Sequence, residues 1–206
     1  MAKSGNDKIG ISLTDFVDFV CKAGSAKLTK VRQIKEREDY SPATDFYKAL
    51  REGIIENHQA KGGRKALKSI LEAITDQKKV GNYNDAINGY KKFWGRKTIT
   101  WFDPPNKHWI VGDLDVRINP ELGLQYDGKS LAVKMYLKKE KLTKDKVDQI
   151  LTLMENQLRS FVKDDVAMAL LDVKNAKLFI KTDKNISLLP LLDGEAKSFE
   201  AIWKGI

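Results

Sequence analysis

The chain has 206 residues, of which 42% are hydrophobic and 32% charged, proportions typical of a globular protein with one core or two small ones. Its mean hydropathy is −0.44, and no apolar run approaches the ~20 residues of a membrane span, so we expect a cytoplasmic protein without a membrane partner. The polar N-terminus, which lacks an apolar signal segment, favours the same location. Cys21 is the only cysteine, which excludes an intrachain disulfide.

The net charge of +9 is concentrated in the N-terminal half of the chain. Residues 1–97 hold 20 Lys and Arg against 12 Asp and Glu, whereas residues 98–206 hold 17 against 16. A basic surface attracts polyanions, and contacts to phosphate need no sequence code, so the charge indicates DNA or RNA as a partner. Lysines that keep the surface soluble are the alternative explanation of the same excess.

Residues 1–97 are predicted to form about five helices joined by short polar turns. Apolar residues recur at helical spacing over five segments: 12–23, 25–37, 41–59, 66–76 and 82–94. Ser41 followed by Pro42 marks a helix start, because a capping residue precedes a proline at the first helical position. We interpret this region as a basic helical bundle, whose first two helices also fit a helix-turn-helix pattern that any bundle offers.

The pattern changes at Thr98, where alternating segments replace the helical spacing. Strands are predicted over 98–102, 108–118, 122–126, 131–137, 166–173 and 177–182. A long amphipathic helix is predicted over 143–161, and a short one over 198–204. The predicted fold class is therefore α+β: an N-terminal helical bundle (1–97), then a mixed α/β domain (98–206) with an antiparallel β-meander, a long helix and a further hairpin.

Asp127-Gly128 lies between two alternating segments and predicts a tight β-hairpin. A two-residue turn there pairs Tyr126 with Lys129 and fixes the register of both strands. Apolar residues then share one face, and Glu121 lies opposite Lys134 on the other.

The preceding strand places Asp113 and Asp115 together on one of its faces. If that strand neighbours the hairpin, three carboxylates and a lysine share one surface. Carboxylates bind Mg²⁺, which polarises a phosphate and lowers the pKa of a bound water, and a lysine stabilises the developing charge. The hypothesis is a metal site of Asp113, Asp115 and Glu121 with Lys134 and Glu121 as catalytic residues. The alternative is a cross-strand Glu121–Lys134 ion pair on a solvated face, which contributes little.

The order of helix, three strands, long helix and further strands over about residues 85–182, with Lys134 and the Asp113/Asp115 position, resembles the restriction-endonuclease-like (PD-(D/E)XK) superfamily. This resemblance implies a metal-dependent nuclease-like domain acting on nucleic acid. The superfamily's signature places an acid two residues before the lysine, where this chain has Ala132. The resemblance is therefore to a degenerate member, in which Glu121 would replace the missing acid from the neighbouring strand.

Residues 123–130 also match GxxxxGK[ST], the phosphate-binding P-loop pattern. That pattern works where a helix follows the loop, whereas residues 131–137 alternate like a strand. Nucleotide binding is therefore the less favoured alternative, behind a non-enzymatic scaffold or protein-interaction module.

Other features of the sequence point to no chemistry. Trp94 and Trp101 bracket the predicted boundary and are expected to join the two halves, while His58 and His108 have no partner that can be read from the sequence. The segment from Tyr40 to Arg51, with the later Trp-Phe-Asp-Pro-Pro and Asn-Pro-Glu-Leu-Gly-Leu segments, resembles a family of uncharacterised bacterial proteins. This resemblance covers most of the chain and implies a bacterial origin.

Overall fold

The computed structural model describes residues 8–37, 45–74, 76–182 and 187–206, and it has the α+β fold that the sequence predicts. The strands are β1 (Ile9–Ser12), β2 (Thr100–Phe102), β3 (Lys107–Val111), β4 (Leu114–Ile118), β5 (Leu122–Tyr126), β6 (Lys129–Tyr136), β7 (Val166–Asp172) and β8 (Lys177–Ile180). The helices are α1 (Leu13–Val20), α2 (Ser25–Lys35), α3 (Lys48–Gln59), α4 (Ser69–Glu72), α5 (Gln77–Trp94), α6 (Lys144–Leu158) and α7 (Leu189–Gly205). Short 3₁₀ turns lie at Ala66–Lys68 and Arg159–Phe161.

The larger sheet has the strand order β2-β5-β6-β7-β8. Its centre is the β5–β6 hairpin, whose turn residues Asp127 and Gly128 have φ angles of 48° and 70°, as a tight reversal requires. Tyr126 pairs with Lys129, and Leu122 pairs with Val133, so the predicted register is confirmed. Helix α6 carries the chain from β6 to β7, which run parallel.

The smaller sheet has the order β1-β4-β3, and two of its features differ from the sequence prediction. Residues 108–118, predicted as one strand, form the β3–β4 hairpin, because the chain turns at Gly112 with a φ of 59°. Strand β1 was not predicted, since it has only four residues, of which Ile9 and Ile11 are buried. It pairs in parallel with β4.

The hydrophobic core has two clusters on opposite faces of β6. Ala132 and Tyr136 belong to the first cluster, which also includes residues of α1, α2, α6, α7 and the smaller sheet. Leu131 and Val133 belong to the second, with residues of α3 and α5. The helices of residues 1–97 are thus divided between the two clusters, each of which also contains residues after 97. The separate N-terminal helical bundle stays a prediction.

Several helix boundaries differ from the predicted ones. Helix α7 begins at Leu189 rather than 198, and Pro190 in its first turn is compatible with that start because its nitrogen has no hydrogen to leave unpaired. Helix α5 begins at Gln77 rather than 82. The predicted start at Ser41-Pro42 lies outside the described residues. None of the described helices is both long and apolar enough to cross a bilayer.

Candidate functional site

Glu121 and Lys134 form a buried ion pair beside the β5–β6 hairpin. Lys134 Nζ lies 2.5 Å from Glu121 Oε1, and the two side chains are 9% and 8% exposed. Lys134 Nζ also donates to the backbone oxygen and to Oδ1 of Asn119, at 3.0 and 3.2 Å. The backbone N–H of Met135 donates to Glu121 Oε2 at 2.7 Å.

These contacts occupy both the lysine and the carboxylate. Nζ has three acceptor atoms within hydrogen-bonding distance, and each oxygen of Glu121 accepts one hydrogen bond. The pair ties β6 to Asn119 and Glu121, the segment that leads from the smaller sheet into β5. This arrangement is typical of a structural clamp, and it is buried rather than on a solvated face.

The other two predicted metal ligands belong to the smaller sheet, because β4 pairs with β1 and β3 rather than with the β5–β6 hairpin. Asp115 lies on β4, whereas Asp113, predicted on the same strand face, lies in the turn between β3 and β4. Asp113 pairs with Lys204 at 2.6 Å. Asp115 Oδ1 lies 2.6 Å from Nδ1 of His108, a partner that the sequence did not reveal. In the described ranges, no three His, Cys, Asp or Glu side chains are placed to hold a metal ion together. The Mg²⁺ site thus stays a prediction.

The P-loop match lies in the β5–β6 hairpin, and its two glycines have structural explanations. A Cβ on Gly123 would lie 2.0 Å from the backbone oxygen of Phe102 on the paired strand β2. Gly128 has the positive φ of the tight turn. Strand β6 rather than a helix follows the turn, so this segment lacks the helix N-terminus that receives phosphates in a P-loop.

Ion pairs within the protein neutralise both acidic residues of α1. Asp15 accepts from Lys30 and Arg37, while Asp18 accepts from Lys138 and from Lys146. Burial opposes the ionisation of Asp15, but its cationic partners outweigh burial and hold its pKa well below the ordinary value. Lys30 and Arg37 are therefore engaged in internal ion pairs.

The basic excess is instead concentrated in residues 60–97. This segment holds ten Lys and Arg against three Asp and Glu, a net charge of +7 out of the chain's +9. It runs from the end of α3 through α4 and α5. A concentration of one sign of charge on a short segment produces a local positive potential that attracts polyanions.

A cleft of about 350 Å³ lies on this segment, and its lining residues are all cationic: Arg64, Lys65, Lys91 and Lys92. The first two come from the loop after α3, and the other two from the last turn of α5. Arg64 Nη1 donates to the backbone oxygen of Gly95 at 3.1 Å, which holds that loop against the end of α5. Among the described residues, none of the four forms a salt bridge.

His58, which lies shortly before Arg64 in the sequence, links α3 to α5. Its side chain is 3% exposed, its Nε2 lies 2.7 Å from the hydroxyl oxygen of Tyr90, and its ring stacks on Trp94 with centroids 4.5 Å apart. The ring of Trp101, on β2, also stacks with this imidazole, with centroids 6.1 Å apart. Burial lowers the pKa of His58 from 6.5 to about 4, so the ring is neutral at pH 7.

Sequence reasoning missed the cleft because its two pairs of cations are far apart in the chain. Arg64-Lys65 and Lys91-Lys92 meet only because α3 and α5 pack together. The charge count over residues 60–97, taken alone rather than over the whole first half, is the signal that could have located it.

Comparison with known proteins yields no assignment. No protein-family model matches the sequence, and no curated protein is significantly similar to it.

Proposed function

We propose that this protein binds nucleic acid through the phosphate backbone, in the cleft formed by Arg64, Lys65, Lys91 and Lys92. The observation that carries the proposal is the lining of that cleft, in which all four side chains are cationic and none forms a salt bridge with a described acidic residue. The net charge of +7 over residues 60–97 supports it.

Counterion release supplies the binding free energy. Each cation that neutralises a phosphate frees a condensed counterion, and this contribution does not depend on base sequence. The side chains that line the cleft present only hydrogen-bond donors, since lysine and arginine side chains have no acceptor. Phosphate oxygens, which only accept, are the complementary groups of a nucleic acid.

The test replaces the two lysines of α5. The variant Lys91→Gln/Lys92→Gln is expected to bind a fluorescent DNA duplex roughly 50-fold more weakly at about 0.1 M salt, because two phosphate contacts are lost. Fluorescence anisotropy measures the affinity. The matched control is Lys22→Gln/Lys163→Gln, which removes the same charge from exposed lysines outside the cleft and should change the affinity much less.

Equal losses of affinity in both variants would mean that net charge alone drives binding, and would contradict the proposal that nucleic acid binds in the cleft. Absence of binding at low salt would favour a non-enzymatic scaffold or protein-interaction module instead.

A degenerate metal-dependent nuclease is the second candidate. It is supported by the chain order of α5, the larger-sheet strands β2, β5 and β6, then α6 and β7, which resembles the restriction-endonuclease-like superfamily although β3 and β4 are inserted between β2 and β5. The proximity of Glu121 to Lys134 supports it too. Both oxygens of Glu121 already accept hydrogen bonds, which leaves this carboxylate less available to a metal ion. Nucleic-acid binding without cleavage is therefore the favoured proposal. Cleavage of labelled DNA or RNA with Mg²⁺ or Mn²⁺, lost in Lys134→Ala, would favour the nuclease.

A further inference from the structure

The aromatic residues next to the cleft point into the core rather than towards a ligand. The end of α5 reads Tyr90-Lys91-Lys92-Phe93-Trp94, so aromatic residues flank the two lysines in sequence. Tyr90, Phe93 and Trp94 are 0%, 4% and 7% exposed, whereas Lys92 is exposed. The helix therefore separates them, with rings on its buried side and cations at the cleft.

Each of these rings is held in place by core contacts. Trp94 stacks on His58, and its indole N–H donates to the backbone oxygen of Lys97 at 3.1 Å. Lys97 Nζ lies 4.9 Å from the centroid of Phe93 and covers it. Turning a ring outward would break these contacts, so none of these three rings is available to stack on a base.

The side chains that line the cleft also lack hydrogen-bond acceptors. Lysine and arginine offer donors only, so the exocyclic amino groups of adenine and cytosine find no acceptor among them. Nη1 of Arg64 is already bonded to the backbone oxygen of Gly95. The donors that remain fit phosphate oxygens, and among the bases they fit the O6 and N7 acceptors of guanine.

Proteins that bind single strands gain about 1–3 kcal/mol for each base stacked on an aromatic side chain. A site without such rings gains only the electrostatic contribution. That contribution is larger for a duplex, which carries one charge per about 1.7 Å of its axis, than for one strand, with one per about 3.4 Å. We infer that the cleft is selective for double-stranded over single-stranded nucleic acid and contacts it mainly through phosphates, an inference that rests on the proposed function.

The test compares three labelled probes of equal length at about 0.05 M salt: a DNA duplex, a second duplex of scrambled sequence, and an unstructured single strand. We expect the duplexes to bind with affinities within about twofold of each other, and at least about tenfold more tightly than the single strand. Lys91→Gln/Lys92→Gln should weaken duplex binding about threefold more than single-strand binding, because each lost phosphate contact releases more counterion from a duplex.

Failure of this inference can be distinguished from failure of the proposed function. Single-strand binding as tight as duplex binding would overturn the selectivity, and a tenfold difference between the two duplexes would overturn its phosphate basis. Either result would leave the nucleic-acid function in place. Absence of binding to all three probes would remove both.

Discussion

Replacing Lys134 by methionine is expected to lower the free energy of unfolding by about 3–5 kcal/mol, because the substitution leaves the charge of Glu121 buried without its partner. The Glu121 side chain is 8% exposed, and its remaining contact is the backbone N–H of Met135. Asn119, whose oxygens accept from the lysine, would lose those hydrogen bonds too. Urea unfolding followed by circular dichroism measures the change.

The control for this prediction removes the unpaired charge of Glu121. Lys134→Met/Glu121→Gln should recover a large part of the lost stability, since a neutral amide costs less to bury than a carboxylate. A loss below about 1 kcal/mol in Lys134→Met would match the alternative interpretation, in which the pair lies on a solvated face. That result would contradict the interpretation of the buried Glu121–Lys134 pair as a structural clamp.

Acid is expected to destabilise the protein through His58. The pKa of this buried imidazole is lowered to about 4, against 6.5 for an ordinary histidine, so the unfolded chain binds the proton more tightly. The stabilisation is fully present above pH 6.5 and is lost as the pH falls from 6.5 towards 4. The difference between the two pKa values amounts to about 3 kcal/mol. Unfolding free energies measured across this pH range test it.

Carboxylates also titrate at the lower end of this range, so the measurement needs a reference variant. His58→Gln lacks the titrating group and keeps a polar side chain beside the Tyr90 hydroxyl. Its stability at pH 7 will be lower, but the gap between wild type and variant should narrow as the pH falls to 4. A gap that stays constant between pH 7 and 4 would show that His58 does not contribute this pH dependence.

The sequence predicted those features of the fold that depend on local chemistry. The Asp127-Gly128 turn determines the register of β5 and β6, and that register places Glu121 next to Lys134. Helix α6 follows in the same way from its apolar spacing, and the structure shows Thr143 as its capping residue.

Features that depend on distant pairing were beyond such reasoning. The membership of β4 in a second sheet depends on its parallel pairing with β1, about a hundred residues earlier in the chain. Nothing near Asp113 or Asp115 reveals that pairing, so the expected cluster with Glu121 could not be checked from the sequence. The partners of His58 are hidden for the same reason, since Tyr90 and Trp94 meet it only when α3 packs on α5.

The salt dependence of duplex binding tests the central claim most directly. If the four cations of the cleft each neutralise one phosphate, the logarithm of the association constant should fall with the logarithm of salt concentration with a slope of about −3.6. The slope should become shallower by about 1.8 in Lys91→Gln/Lys92→Gln. A slope near zero, or one that the substitutions leave unchanged, would contradict phosphate binding in the cleft.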